Sequence, residues 1–490
     1  MNNIRKISTL ASLSFLAVAV STPARLSPPV LEYSEIDAYI EAQMRAWNIP
    51  GTALVIVQDG QVAHLKTFGQ AGKDRPVTPQ TPFEIGSCSK SFTALAVMQL
   101  VEAGQVDLDE PVQVYLPWFR VADAKASARI TVRHLLNHTS GLSNEIDARA
   151  WINPRGLTLE DWGRSLQRVH ISATPGTHYQ YSNFNYMLLA LVIEAVSGQS
   201  YGVYLSQHVF SPLDMRNSFT DPALARTYGL ADGYTWWFGV PLRSLEKPRP
   251  DMLGAGYIMV SPEDIAHFLS MQLNDGLYKN IRLLSAEGIT AMHTPPQLPA
   301  ESSLYGMGWV NYQEGGQTII NHNGQSASFS SSIFMLPELK LGIAVMVNVT
   351  STLAPHTAWS MANNVKNWIV SGQQAQVDPS FRDFYLPWVG GFLGTTAVVL
   401  WRLSRALDRP KKNSATHIKH HTVLSLGFDA LLALAALFGQ PLALGWHKWR
   451  GLFVYQPDAA YWCLIAGILL SGKLLLRALG IVRGGRKTRS

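Results

Sequence analysis

The chain has 490 residues, of which 47% are apolar and only 15% charged, below the ~25% usual for soluble domains, so a single ordinary soluble domain does not account for all of it. Its net charge of +6 is unevenly spread: residues 1–30 carry Arg5, Lys6 and Arg25 with no acid, and residues 402–490 carry 14 Lys/Arg against Asp408, Asp429 and Asp458. The stretch between is net acidic, which removes the basis for a nucleic-acid partner, and two distant cysteines, Cys88 and Cys463, exclude a disulfide scaffold and zinc spacing.

In chain order, residues 1–24 read as a secretory signal peptide. Arg5 and Lys6 are followed by an apolar run from Ile7 to Val20 and by a small residue, Ala24, at the cleavage point. An uncleaved anchor is the alternative. Residues 30–375 read as one mixed α/β (α+β) domain. Gly51–Val57 and Gln61–Phe68 are strand-like and flank an Asp59-Gly60 turn. Helical periodicity follows at Ser89–Glu102, Val132–Leu136, Phe184–Val196 and Pro262–Leu273. Gln317–Ile320, Ser328–Leu336 and Leu341–Asn348 read as strands and Met361–Val370 as a closing helix. Strands at both ends with helices between predict one antiparallel sheet flanked by helices, with a helical subdomain inserted.

The C-terminal part changes character. Residues 384–401, 422–445 and 460–482 are apolar and long enough to be three transmembrane helices. The linker Arg402–His421 holds six Lys/Arg, and the tail adds Arg483, Arg486, Lys487 and Arg489. The positive-inside rule then puts linker and tail in the cytoplasm and the large domain outside, the orientation that the signal peptide predicts independently. Trp388, Trp401, Trp446, Trp449 and Trp462 sit near the ends of the expected spans.

The chemistry centres on Ser87-Cys88-Ser89-Lys90. Serine and lysine three apart lie one turn from each other on a helix, where a desolvated amine can activate the hydroxyl. The helix N-terminus would favour negative charge developing beside Ser87. The pair alone is weak, since Ser244-Leu-Glu-Lys247 repeats it in a Pro-rich segment. Cys88 reads as a small packing residue. Two further stretches follow in order. Tyr181-Ser-Asn183 precedes an apolar helix, where Tyr181 could serve as base or proton shuttle and Asn183 could donate to a substrate carbonyl. His322-Asn-Gly324-Gln325 ends a strand. There His322 could orient or protonate, Gly324 would allow close approach of substrate backbone, and the Gln325 N–H could share an oxyanion site with that of Ser87.

Together these stretches resemble the class C β-lactamase-related serine hydrolases, which include D-aminopeptidases, D,D-peptidases, esterases and β-lactamases. The resemblance is carried by Glu84-Ile-Gly-Ser-Cys-Ser-Lys90, Val132–Leu142 with its His138-Thr-Ser-Gly141, Tyr181-Ser-Asn-Phe-Asn-Tyr186, His322-Asn-Gly-Gln325 and Phe329-Ser-Ser331. It covers about residues 33–372 and implies a β-lactamase/transpeptidase-like fold. It also implies acylation at Ser87, with Lys90 and Tyr181 activating the serine and relaying protons, and no metal or organic cofactor. Which of Lys90 and Tyr181 is the base stays open. His322 stands where true β-lactamases carry lysine, which argues against efficient penicillin hydrolysis.

The three-span tail resembles that of periplasmic peptidases that mature nonribosomal peptide prodrugs, such as the colibactin-maturing peptidase. Those cut after an N-acyl-D-asparagine, although the asparagine that grips the D-Asn side chain has only Ser326 or Ser328 near its place here. The expectation is an inner-membrane serine peptidase with its catalytic domain in the periplasm, acting on an acylated or D-amino-acid-containing peptide. The lipid bilayer and an exporter that delivers the substrate would be its partners. The alternatives are an envelope D,D-peptidase, esterase or weak β-lactamase, and a non-catalytic penicillin-binding protein.

Overall fold

The computed structural model describes residues 32–143, 157–237, 239–244, 249, 252–299, 304–350 and 357–380, with scattered helical positions in 383–401 and 460–468. The expected signal peptide and the expected span 422–445 lie outside the described residues, as does much of 384–401 and most of 460–482. Among the described residues no single helix is long and apolar enough to cross a membrane.

The elements that frame the site begin with helix α1 (Tyr33–Trp47) and strands β1 (Gly51–Gln58), β2 (Gln61–Gly72), β3 (Arg75–Pro76) and β4 (Phe83–Glu84). A helical region follows, with α2 (Ser89–Glu102), α3 (Val132–Leu136) and α4 (Asn183–Ser197). The chain returns through β5 (Tyr234–Trp237), β6 (Val240–Arg243), β7 (Met259–Val260) and α5 (Pro262–Leu273). Strands β8 (Val310–Glu314), β9 (Gln317–Gln325), β10 (Ser330–Leu336) and β11 (Leu341–Val347) complete the sheet before α6 (Thr357–Ser371).

The sheet has seven antiparallel strands in the order β8-β9-β10-β11-β1-β2-β3. Its centre joins the two ends of the domain, with β1 against β11 in the register Leu54↔Val345. Side chains alternate across each strand. Leu54, Ile56, Ile343 and Val345 therefore meet Ile36 and Ile40 of α1 and Met361 and Val365 of α6 on one face. Ala53, Val55, Val57, Ala344 and Met346 meet Leu95 of α2 and Phe268 of α5 on the other. With both faces covered, β1 and β11 are runs of buried apolar residues, each large side chain contributing about 1.5–3 kcal/mol by leaving water. Phe92 stacks on Phe268 with ring centroids 3.9 Å apart, tying α2 to α5.

The elements depart from expectation in several places, among them β2, which runs to Gly72 rather than Phe68, and β8, which was not expected. Helix α1 is additional. Its apolar residues Ile36, Ile40 and Met44 recur every four positions, and Asn48 stops it in the left-handed conformation at φ 50°. Strand β9 runs past Ile320 to Gln325, because polar Asn321, His322 and Asn323 are paired with Phe334, Ile333 and Ser332 of β10. Helix α6 starts at Thr357 rather than Met361. Strand β9 packs against the segment carrying Ser87, so the site forms where the sheet meets the helical region.

Candidate active site

Gly86 makes the site possible. It adopts φ 49°, and a Cβ there would stand 2.4 Å from the Gln325 backbone nitrogen, so only glycine lets the chain before Ser87 touch β9. Ser87 then lies in a 3-10 turn, Gly86–Cys88, one step ahead of α2 rather than inside it. Its hydroxyl stays partly exposed while Lys90, a turn later, is fully buried. Lys90 Nζ donates to Ser87 Oγ at 3.2 Å, to Asn183 Oδ1 at 2.8 Å and to the Ala255 carbonyl at 2.6 Å. It also lies 4.8 Å from the centre of the Tyr181 ring and 5.7 Å from that of Tyr186.

Tyr181 closes the triangle, its hydroxyl donating to Ser87 Oγ at 2.8 Å. It sits on the loop that enters α4, where Ser182 is extended at φ −149° and helix begins at Asn183. The loop is held by a residue to which the sequence reading gave no role. His138, at φ 56°, accepts from the Ser182 backbone N–H (3.2 Å) and from Asn185 Nδ2 (2.9 Å) through Nδ1. Its carbonyl accepts from the Gln180 N–H at 2.7 Å, and its ring packs 4.4 Å from that of Tyr181. Burial, and secondarily the charge on Lys90, hold the imidazole well below its usual pKa, so it is neutral. The signal was the His138-Thr-Ser-Gly141 stretch itself.

Asn183 was expected to donate to a substrate carbonyl. Its carbonyl end is committed to Lys90, so only the amide nitrogen could reach substrate. His322 differs more. It is buried, its Nδ1 donates to the Asn323 carbonyl at 2.8 Å, and its Nε2 accepts from Tyr305 Oη at 3.0 Å. Burial, followed by Lys90, pushes its pKa down to about 3. Its ring is thus neutral at physiological pH with both nitrogens engaged, which, of its two expected roles, favours orienting over protonating. Gly324 faces Ile85, whose carbonyl would be 1.9 Å from an added Cβ. The Gln325 side chain bonds Thr350 instead of facing the site, which leaves its backbone N–H beside Gly86 as the useful group. Cys88 is fully buried, bonded to the His322 carbonyl and to Ser331, and burial pushes its thiol up to about 12, as suits a packing residue.

One carboxyl went unnoticed in the sequence. Glu84, three residues before Ser87, borders a cavity of about 410 Å³ that is also lined by Arg226, Gly233, Arg243, Ser328 and Phe329. Burial raises it to about 7, against the opposing pull of the Ser326 hydroxyl and of Arg226. Among the described residues no group of three or more His, Cys, Asp or Glu is arranged to hold a metal ion.

A hydroxyl contacted by a buried amine and by a phenol, with a backbone N–H nearby, is an arrangement suited to acyl transfer. Comparison with known proteins agrees. The Beta-lactamase family model matches residues 36–365. The chain is 26% identical over 449 residues to "Protein flp" of Staphylococcus aureus (strain MW2), covering 89% of this chain and 88% of that protein. It is 30% identical over 316 residues to "Penicillin-binding protein 4" of Amycolatopsis lactamdurans, covering 61% and 81%. Among solved structures, the octameric penicillin-binding protein homologue from Pyrococcus abyssi aligns with TM-score 0.61 at 28% identity, covering 70% of this chain and 78% of that one. The D-amino acid amidase from Ochrobactrum anthropi SV3, complexed with D-phenylalanine, aligns with TM-score 0.55 at 26% identity over 64% of this chain and 91% of that one. A fold, a Ser-Lys-Tyr triangle and a family match over two thirds of its length thus converge, and the chain belongs to the β-lactamase family of serine hydrolases.

Proposed function

We propose that this chain is a membrane-anchored serine amidohydrolase of the cell envelope that cuts an amide following an N-acylated or D-configured residue, and that it matures a secreted peptide prodrug. The observation that carries the catalytic part is the triangle at Ser87 Oγ, 3.2 Å from Lys90 Nζ and 2.8 Å from Tyr181 Oη. In the reacting form of the enzyme one member of the Lys90–Tyr181 pair has released its proton; Ser87 Oγ attacks the substrate carbonyl and passes its own proton to that group. The oxyanion is met by the backbone N–H groups of Ser87 and Gln325. A proton returned through Tyr181 lets the C–N bond break and the amine leave, and water then attacks the Ser87 ester to release the acyl product.

His322 supports the choice of an uncharged leaving side. A neutral imidazole bonded to Tyr305 supplies no cation for a substrate carboxylate, which penicillins and D-Ala-D-Ala peptides both carry. The likeness to a D-amino acid amidase points the same way. Anchoring is supported by the apolar stretches 384–401, 422–445 and 460–482 with their basic flanks. The Staphylococcus relative matches 89% of the chain, more than residues 36–365 account for, so the likeness runs beyond the catalytic domain. A bilayer location and an exporter upstream suit an acylated substrate.

The test is to incubate full-length protein and its Ser87→Ala variant with N-myristoyl-D-asparaginyl amide, a D-Ala-D-Ala peptide and a simple ester, reading products by mass spectrometry. Ser87-dependent release of myristoyl-D-asparagine is expected. Turnover of the D-Ala-D-Ala peptide alone would replace this reading by an envelope D,D-peptidase, and turnover that survives Ser87→Ala would remove the acyl-enzyme.

A further inference from the structure

Strands β5 and β6 form a hairpin that the catalytic scheme does not use. Its sequence, Tyr234-Thr-Trp-Trp-Phe-Gly-Val-Pro-Leu-Arg243, is rich in aromatic and apolar residues, yet much of it faces outward. Val240 is 56% exposed and Leu242 46%, while Trp236 on the inner side is fully buried against Trp47, its indole nitrogen donating to the Trp47 carbonyl at 3.0 Å. Asn48 Nδ2 donates to the Gly239 carbonyl at 3.1 Å, fixing the turn of the hairpin to the end of α1.

Two features say what covers the outer side. The described residues of the last apolar stretch begin at this hairpin: Tyr461 stacks on Trp237 with ring centroids 5.6 Å apart, and Ala460 and Cys463 are buried. Val389, in the first apolar stretch, packs against the same core cluster as Trp47, Tyr234 and Trp236. The last apolar stretch thus meets the domain at the hairpin, and the first packs on the sheet face whose cluster includes Trp236. Tryptophan and tyrosine beside aliphatic side chains at the ends of such stretches are the composition of a membrane–water boundary. The hairpin is also coupled to the site. The Tyr234 N–H donates to the Ser328 carbonyl at 3.3 Å and Thr235 Oγ1 to the Ala327 carbonyl at 3.1 Å, on the loop that follows Gln325. From Tyr234 to Trp237 is three strand steps, about 10 Å.

We propose that the β5–β6 hairpin is a lipid-binding foot: Trp237, Val240 and Leu242 insert at the headgroup–acyl boundary of the leaflet facing the catalytic domain. This holds the rim of the active site where the acyl chain of a membrane-partitioned substrate emerges. The inference rests on the membrane-anchored reading above, and extends it by naming the surface that meets the lipid.

The experiment uses full-length protein in phosphatidylcholine/phosphatidylglycerol liposomes doped with shallow nitroxide lipid, with a bimane fluorophore on Val240→Cys and, as control, on exposed Val203→Cys. Quenching at position 240 at least twofold stronger than at 203 is expected. A second arm compares the double variant Val240→Asp/Leu242→Asp, whose changes are exposed, on N-myristoyl- and N-acetyl-D-asparaginyl amide. A roughly fivefold or greater rise in KM for the myristoyl substrate, with kcat and the acetyl substrate unaffected, is expected. Equal quenching at both positions in protein that resists alkaline carbonate extraction overturns the foot and leaves anchoring standing. Extraction of the protein by carbonate overturns both.

Discussion

Tyr305 donates its hydroxyl to Nε2 of His322 across 3.0 Å, while Nδ1 of the same ring donates to the Asn323 carbonyl at 2.8 Å. The ring is thereby held in one tautomer and without charge, at a strand position where a cation would change the class of substrate accepted. The neutrality has a thermodynamic consequence that can be measured.

With the folded pKa of His322 near 3, below the ordinary 6.5, the unfolded chain binds a proton that the native state refuses. The stability that the neutral ring contributes is complete above pH 6.5 and is lost as pH falls toward 3. Between pH 6.5 and 5 this one group removes roughly 1–2 kcal/mol. Glu84, raised to about 7, and Asp264, raised to about 6, act in the opposite sense, since their native carboxyls keep protons that the unfolded chain releases. The comparison of wild type with His322→Asn isolates the histidine. Chemical denaturation should show the gap between them shrinking by roughly 1–2 kcal/mol from pH 6.5 to 5, and a constant gap would mean that the native imidazole takes up its proton as readily as the unfolded one.

Tyr181→Phe keeps the ring against His138 and Lys90 but removes the hydroxyl from Ser87. Loss of one acid–base partner lowers rates by roughly 10²–10⁴. Pre-steady-state kinetics should place that loss on acylation, with KM changed little and the thermal midpoint held. An undiminished acylation rate would assign all the proton traffic to Lys90.

Much of this site was legible because its chemistry is local in sequence. Ser87 and Lys90 are a helical turn apart, and Tyr181 precedes an apolar run that announces α4. Both termini of the domain read as strands, which gave the sheet its antiparallel closure. What was hidden depended on contacts between distant segments. The second partner of Asn183 was hidden, since its carbonyl accepts from Lys90, 93 residues away, and only the amide nitrogen is left for substrate. Glu84 carried no role in the sequence, since only burial beside Arg226 and Ser326 distinguishes it. His322 could be placed on a strand but not given a charge, because that depends on its burial and on Tyr305, 17 residues away, which donates to Nε2 once the Asn323 carbonyl has fixed the proton on Nδ1. Helix α1 is harder to read because Ile36, Ile40 and Met44 mark its buried face among mostly polar neighbours, and only packing on the sheet distinguishes that face.

Gly324→Ala tests the contact between β9 and the turn that carries Ser87. The new Cβ would stand 1.9 Å from the Ile85 carbonyl and 2.3 Å from Ser331 Oγ, so β9 must move away. Overpacking of this kind costs about 1–3 kcal/mol. Because the Gln325 N–H moves with the strand, amide hydrolysis should fall at least 100-fold even at temperatures where the variant is folded by circular dichroism. Activity within a factor of three of wild type would show that the Gln325 N–H does not face the oxyanion.

His138 offers a sharper separation of geometry from bulk. Its φ of 56° belongs to the left-handed region, which asparagine tolerates better than leucine or alanine. An asparagine Oδ1 would also sit near the position of Nδ1, able to accept from the Ser182 N–H and from Asn185. His138→Asn should therefore keep the Tyr181 loop in place and retain activity within about tenfold. His138→Ala leaves those two buried donors unpartnered, a loss of about 1–3 kcal/mol. It also releases the ring of Tyr181 from its 4.4 Å contact. The alanine variant should lose kcat far more than KM rises, because the hydroxyl of Tyr181 would no longer be held 2.8 Å from Ser87. If asparagine fails to rescue relative to alanine at equal folded fraction, the imidazole ring itself, and not its accepting nitrogen, positions the tyrosine.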